Sequence, residues 1–252
     1  MTLRWILPDW PAPAGVRALS TQRPGGASTG PYASFNLGDH VGDAPEAVAE
    51  NRRRLAAAAG LPAEPLWLRQ IHGANVADLD AASVPSAPAD AAFTRRRGRV
   101  CTILTADCLP VLLAAETGEW VAAAHAGWRG LAAGVIEATV TAVRAAAGAA
   151  DLPPAKLLAW LGPAIGPRHF EVGAEVREAL LAADAGAEAA FVPNARGRFM
   201  ADLAQLTRRR LAALGIDRIY GGNECTFEDA EHYFSHRRDG VTGRQATLIW
   251  RE

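Results

Sequence analysis

The stretch from Val100 to Ala124 constrains this chain more than any other. It holds three short apolar runs, Val100–Thr105, Val111–Ala115 and Trp120–Ala124, separated by turn residues such as Pro110 and Gly118. Runs this brief and this apolar have the length of buried strands rather than of helices, so a sheet is expected in the middle of the chain. Next come Gly127-Trp-Arg-Gly130 and then Leu131, Val135, Ile136, Val140 and Val143, at helical spacing up to about Gly148. The order is strand, glycine-flanked loop, helix.

The flanking segments extend that alternation. Asp43-Ala-Pro-Glu46 reads as a capping box with proline in the first turn, opening a helix that runs through Val48 and Leu55 to a terminating Gly60. Leu157–Leu161 reads as another buried strand, followed by the loop Gly162-Pro-Ala-Ile-Gly-Pro167 and a helix through Val176, Leu180 and Leu181. A helix over Leu203–Leu214 stops at Gly215, Arg218–Tyr220 follows as a strand, and Arg244–Trp250 has the β-branched and aromatic content of a last one. Ala81–Ala91 is the best surface-loop candidate. Interleaved elements of this kind predict an α/β or α+β layered fold, and no composition break suggests an interdomain linker, so residues 1–252 are expected to form one domain.

Composition narrows the function classes. With 26 Lys plus Arg against 27 Asp plus Glu, the net charge of -1 argues against a protein that neutralises phosphate backbones, so no nucleic-acid partner is expected. Three cysteines, Cys101, Cys108 and Cys225, are too sparse and odd a set for a disulfide framework, which suits a reducing cytoplasm. The apolar run near Met1 is short and broken by Pro8 and Asp9, and the alanine-rich 131–150 stretch carries Glu137 and Arg144, so neither a secretory leader nor a membrane span is expected. The arginine runs at 52–54, 95–97 and 208–210 read as solvated faces, and no obligate protein partner is evident.

Three residues stand at element ends with room beside them for a ligand. His72 lies in Gln70-Ile-His-Gly-Ala-Asn75, Cys108 in Thr105-Ala-Asp-Cys-Leu-Pro110, and His125 in Ala124-His-Ala-Gly-Trp-Arg-Gly130. Two imidazoles and one thiolate suit Zn²⁺ and leave a fourth position for water, whose deprotonation near neutral pH would give a hydroxide nucleophile. A cysteine nucleophile with His125 or His72 as base is a second reading, and burial in the core is a third. Cys225 either supplies a fourth, site-closing ligand or packs beneath a loop; Cys101 belongs in the core. Gly127-Trp-Arg-Gly130 would aim backbone N–H groups and the Arg129 guanidinium at the space beside His125, where an anion could sit. Ser235-His-Arg-Arg-Asp-Gly240 is either a site wall or a solvated hairpin end, with Asp239-Gly240 as its turn signal.

Taken together, the motifs resemble a known family. Thr21-Gln-Arg-Pro-Gly-Gly26, Ser34-Phe-Asn-Leu-Gly38, Glu50-Asn-Arg52, Gln70-Ile-His-Gly73, Ala106-Asp-Cys-Leu-Pro110, His125-Ala-Gly-Trp-Arg-Gly130, Gly162-Pro-Ala-Ile-Gly166 and Tyr233-Phe-Ser-His-Arg-Arg238 occur in the order of the laccase-domain family. That family is also described as YfiH, polyphenol oxidase or peptidoglycan editing factor. The resemblance implies a single-domain α/β/β/α sandwich and a catalytic zinc held by His72, Cys108 and His125. It also implies purine nucleoside phosphorolysis, including methylthioadenosine cleavage, together with adenosine deamination. Editing of a peptidoglycan precursor, UDP-MurNAc-L-Ser, by an amidase reaction and copper-dependent phenol oxidation are the alternatives it carries, and a non-enzymatic metal-binding protein is a further one.

Chemistry ranks these. The electron-transfer copper of a blue oxidase alone takes two His and one Cys, and its trinuclear cluster needs more histidines than this chain's six can supply. Adventitious Cu²⁺ at the same trio could give only slow phenol oxidation. For phosphorolysis, Arg129 and a helix start after Gly130 are expected to hold phosphate, while Asn36 and Arg52, carried over from matching motifs, are expected to line the nucleoside pocket. No H-x-E proton shuttle of the zinc deaminases is present, which leaves Asp107 as the candidate.

Overall fold

The computed structural model describes residues 2–81, 88–146 and 157–252. Its first sheet has four antiparallel strands in the order β1 (Trp5–Ile6), β2 (Val16–Thr21), β13 (Gln245–Arg251) and β5 (Val100–Thr105). A second, six-stranded mixed sheet runs in the order β12 (Arg218–Gly221), β8 (Leu157–Leu161), β6 (Leu109–Ala115), β7 (Val121–Ala126), β4 (Ala91–Thr94) and β3 (Val76–Asp78). A small sheet of β10 (Phe191–Pro193), β11 (Phe199–Ala201) and β9 (Glu171–Val172) sits apart.

Alternation along the strands sets the layers. On β6 and β7, Val111, Leu113, Ala122 and Ala124 pack with Val135, Ile136, Val140 and Val143 of α3 (Val135–Ala146), Val176 and Leu180 of α4 (Ala174–Ala183), and Leu203, Leu206 and Leu211 of α5 (Leu203–Ala213). The opposite face, with Leu112, Ala114, Val121, Ala123 and Trp160, packs on Cys101, Ile103 and Ile249 of the first sheet. The far side of that sheet, with Leu19, Val100, Leu104 and Leu248, is covered by Leu55 of α1 (Pro45–Ala59) and by Phe35 and Leu37. Helix, sheet, sheet and helices follow one another as the α/β/β/α expectation requires.

Several local expectations are corrected. The first is the capping box at Asp43, because the N-cap of α1 is Ala44, which makes no side-chain cap. Asp43 instead accepts hydrogen bonds from Asn36 Nδ2 (2.8 Å) and Ala44 N–H (2.8 Å). Gly60 does end α1, in the left-handed conformation (φ 59°, ψ 42°) that glycine tolerates best. Pro110 lies inside β6 rather than in a turn. Its carbonyl accepts from Gly162 N–H (2.9 Å), one step beyond Leu161, the last residue that β8 pairs with β6, so the proline stands at the end of that ladder, where a missing N–H is tolerated.

The single helix expected after Gly130 is two. α2 (Trp128–Ala132) starts at the N-cap Gly127, and Gly134 (φ 82°) turns the chain before α3. The expected continuation to Gly148 and most of the 81–91 loop lie outside the described residues. Arg208–Arg210 is not a solvated face either. Arg208 donates to the carbonyls of Ile219 and Gly221, Arg209 pairs with Asp184, and Arg210 reaches Glu137 (3.0 Å). Each arginine therefore ties α5 to a different neighbour. Arg95–Arg97 are exposed, as expected.

Candidate metal centre and active site

The turn from β5 to β6 carries the chain from one sheet to the other, and Cys108 sits in that crossing, next to the end of β7 where His125 lies. His72 reaches them from the loop ahead of β3. One donor atom from each of the three lies within 4.8 Å of the others, and the two imidazole rings meet edge-on with centroids 4.7 Å apart.

A residue that sequence reasoning missed, Asp90, assembles this group. Its carboxylate is completely buried just ahead of β4 and accepts N–H bonds from Ile71 (3.1 Å), His72 (2.8 Å) and Gly73 (2.8 Å). Three consecutive amides can point at one carboxylate because His72 adopts a left-handed conformation (φ 62°), rare outside glycine and kept where neighbours over-determine it. The same carboxylate takes a bond from His125 Nδ1 (2.9 Å), and the Asp90 carbonyl takes the His125 N–H (2.7 Å). An ionised carboxylate only accepts, so Nδ1 carries a proton and Nε2 is the nitrogen left to face the site. Burial pushes the Asp90 carboxyl up, but His125 and the Gly73 and Ile71 amides outweigh it and hold the group below its ordinary value.

The donor set fits a divalent ion on three counts. Burial pushes the Cys108 thiol up, yet His125 and His72 overcome this and bring it down to about 6. Burial lowers His125, while the Cys108 thiolate and Asp90 raise it to about 9. The pair thus holds a thiolate beside a proton that a metal cation could replace. Gly127 supplies the second count. A Cβ there would lie 2.7 Å from Cys108 Sγ and 3.4 Å from the His72 ring, so only glycine lets sulfur and imidazole close up. The third is Asp90, the buried carboxylate that orients a ligating histidine through its other nitrogen.

The trio lies in the wall of a cavity of about 440 Å³ that also exposes Gln70, Leu104, Trp128, Arg129, Ile165, Phe170, His236, Arg237 and Arg244. Burial lowers the Arg244 guanidinium, opposed by the negative charge of Cys108 and Asp107. Arg129 is exposed at the rim and stacks on Trp128 (4.4 Å). Ser235–Gly240 is a site wall and not a hairpin end, since Ser235 caps one helical turn over His236–Asp239; Arg237 N–H donates to Asp107 Oδ2 (2.7 Å) and its guanidinium lies over Phe170 (5.4 Å).

The remaining candidates are dispersed. Asp107 lines the cavity, but its other oxygen takes the Thr226 hydroxyl (2.7 Å), so both oxygens already brace loops. Asn36 does not face the cavity. It is fully buried and spends its amide on Gly38, Asp43 and the Arg244 N–H. Arg52 lies in another depression, bonded to the Leu37 carbonyl and stacked on Trp67 (4.1 Å). The helix expected to start after Gly130 begins at Gly127, so its first amides stand beside Cys108. Cys225 is not part of the cavity trio; it groups with His169 and Glu228. Cys101 is core, buried in β5.

Comparison with known proteins gives the setting. A family model described as "Multi-copper polyphenol oxidoreductase laccase" matches residues 17–252. The chain belongs to that family. Its relatives within the family include a protein named purine nucleoside phosphorylase YfiH from Escherichia coli (strain K12), 53% identical over 97% of this chain and 98% of the relative. Another, named a purine nucleoside phosphorylase in Pseudomonas aeruginosa, is 54% identical over 98% of each. Among solved structures of the same fold, a Neisseria meningitidis protein of family DUF152 superposes with TM-score 0.89 at 44% identity, over 98% of this chain and 99% of that one. YlmD from Geobacillus stearothermophilus gives 0.88 at 32%, over 98% and 96%. Among the described residues no helix is long and apolar enough to cross a membrane.

Proposed function

We propose that this protein is a metal-dependent purine nucleoside phosphorylase, with zinc held by His72, Cys108 and His125. The observation that carries the reading is the Asp90-backed trio set in a cavity with apolar and cationic walls, on a chain half identical to proteins named for that activity. A bound zinc ion would supply Lewis-acid charge beside the reacting groups. Phosphorolysis breaks the bond between ribose C1′ and the purine ring nitrogen while a phosphate oxygen bonds to C1′; the purine departs as an anion and takes up the proton that the hydrogen phosphate gives up.

The chain's own residues divide that work. Arg129, Arg237 and Arg244 are the cavity's fixed positive charges, suited to a phosphate dianion and to the anionic leaving purine. Phe170, Ile165 and Leu104 give apolar surface of the kind a purine face needs, while Gln70 is fixed by the Leu104 backbone (2.9 and 2.8 Å). Asp90 keeps the His125 tautomer, and Asp107 keeps the Cys108 turn in place.

Adenosine deamination and methylthioadenosine cleavage are proposed as companion activities of the same site. Three protein donors leave a coordination position open, as in the zinc deaminases. The proton carrier is then Asp107, using the second lone pair of an oxygen that already accepts one bond.

Turnover of inosine and adenosine, with and without phosphate, tests the reading on native protein, a chelated sample and His72→Ala. Hypoxanthine from inosine only when phosphate is present, and lost in the other two preparations, is the expected result. Activity surviving both treatments would reject the metal mechanism, and inosine formed from adenosine without phosphate would identify the deaminase. Should neither nucleoside react, UDP-MurNAc-L-Ser is the next substrate.

A further inference from the structure

The Gly162–Pro167 loop and the Asn223–Asp229 segment meet on the surface behind the cavity wall. Ala164 N–H donates to the Glu224 carbonyl (3.3 Å), Thr226 N–H to the Ala164 carbonyl (2.9 Å), and Ala164 forms a β-bridge with Cys225. This junction brings together His169, Cys225 and Glu228, with one donor atom from each within 4.8 Å of the others. The trio shares no residue with the one in the cavity, and nothing in the reaction proposed above uses it.

We infer that His169, Cys225 and Glu228 form a second metal site, taking a divalent transition cation with zinc the best match, and that its role is to brace the cavity wall. Thiolate, imidazole and carboxylate are the three donor types that zinc accepts, and three of them leave room for a water on the solvent side. The donors are positioned before any ion arrives. The His169 ring lies flat on Phe227 (centroids 4.4 Å apart, planes 14° apart), and its Nε2 is 2.8 Å from Glu228 Oε1. Cys225 Sγ accepts the Gly166 N–H (3.2 Å), a bond that fixes where the sulfur points, and a Cβ on Gly166 would press on that sulfur at 3.1 Å. A cation would take the place of the proton between His169 and Glu228.

One contact competes. Arg168 reaches Glu228 Oε1 at 2.6 Å, but its side chain is 80% exposed, and ion pairs that wet contribute little. A divalent ion with one thiolate and one carboxylate is neutral overall, so the guanidinium is not needed for charge balance.

The site touches the cavity through its backbone. Phe170, next to His169, is a cavity wall; the Arg237 guanidinium donates to the carbonyls of His169 (3.5 Å) and Glu171 (2.9 Å); and Thr226, next to Cys225, holds Asp107. An ion here would lock together three supports of the wall while contacting none of the reacting atoms.

Elemental analysis of the full chain after zinc loading and desalting reads the stoichiometry. Two equivalents are expected in the native protein, and one in each of Cys225→Ser, His169→Gln and Glu228→Gln. Cobalt substitution supplies a readout independent of activity. Cys108→Ser should keep a thiolate-to-cobalt charge-transfer band that the Cys108→Ser/Cys225→Ser double variant loses. One equivalent in the native chain, no such band in Cys108→Ser, or a second equivalent washed out by desalting would each overturn the inference. Should Cys108→Ser fail to fold, judged by its circular dichroism, the stoichiometries of the other three variants decide alone. Failure here leaves the cavity trio untouched, because its own ion is counted separately.

Discussion

The two metal-binding candidates use similar donor types but stand in different surroundings. In the cavity, one donor sits in β7 and the other two in turns beside it, and a fully buried carboxylate fixes both histidines through four hydrogen bonds. At the surface junction, a wet carboxylate must itself be a ligand, and an aromatic ring orients its histidine. The contrast teaches that pre-organisation comes from what stands behind the ligands. A buried second partner makes a rigid site whose geometry can serve chemistry, whereas donors held only at the surface make an adaptable site suited to bracing.

The sharpest way to break the contrast is Asp90→Asn. It removes the charge that three amides and His125 address and sets an NH₂ group against N–H donors. Urea denaturation is expected to show a loss of about 3–5 kcal/mol, as for a buried charge pair deprived of one partner, and elemental analysis a loss of the cavity ion only, with affinity down roughly 10–100-fold. Retention of both stability and metal would show that Asp90 does not organise the site. Gly127→Ala comes next. Its methyl group would stand on Cys108 Sγ, so calorimetry should find a strain of about 1–3 kcal/mol and elemental analysis a depleted cavity ion in a folded chain.

Much of this was legible in the sequence, and the exceptions have physical causes. The runs at 100–105 and 157–161 are strands because an apolar segment of that length buried on both faces has few other options. The trio could be nominated because each member stands at a strand end or in a tight glycine-flanked turn. Asp90 escaped notice, although a lone carboxylate in Ala89-Asp-Ala-Ala-Phe93, entering an apolar strand, is itself a signal that something must pair with it. Asn36 and Arg52 occur in the right motifs, but a motif does not say which way a side chain points. Both turned inward to hold the 36–43 loop, whose carbonyls and carboxylate needed donors. The capping box failed because Asp43 was already engaged by Asn36.

Smaller effects sharpen the comparison further. Arg129→Ala should raise the KM for phosphate about tenfold, the ~1.4 kcal/mol of one exposed charge-assisted contact, while leaving metal content unchanged; a large fall in kcat with KM unmoved would give Arg129 a different role. Smallest of all is Glu228→Gln. It touches only a surface donor, so the chemical denaturation midpoint should move less than in any variant above, with the cavity ion fully retained.

Ligation of a single ion by His72, Cys108 and His125 is tested most directly by zinc-edge X-ray absorption on Cys225→Ser loaded with a single equivalent of zinc. One sulfur at about 2.3 Å and two imidazole nitrogens at about 2.0–2.1 Å, completed by one light oxygen scatterer, are expected. A coordination shell without sulfur, or one filled by four protein ligands, would contradict it.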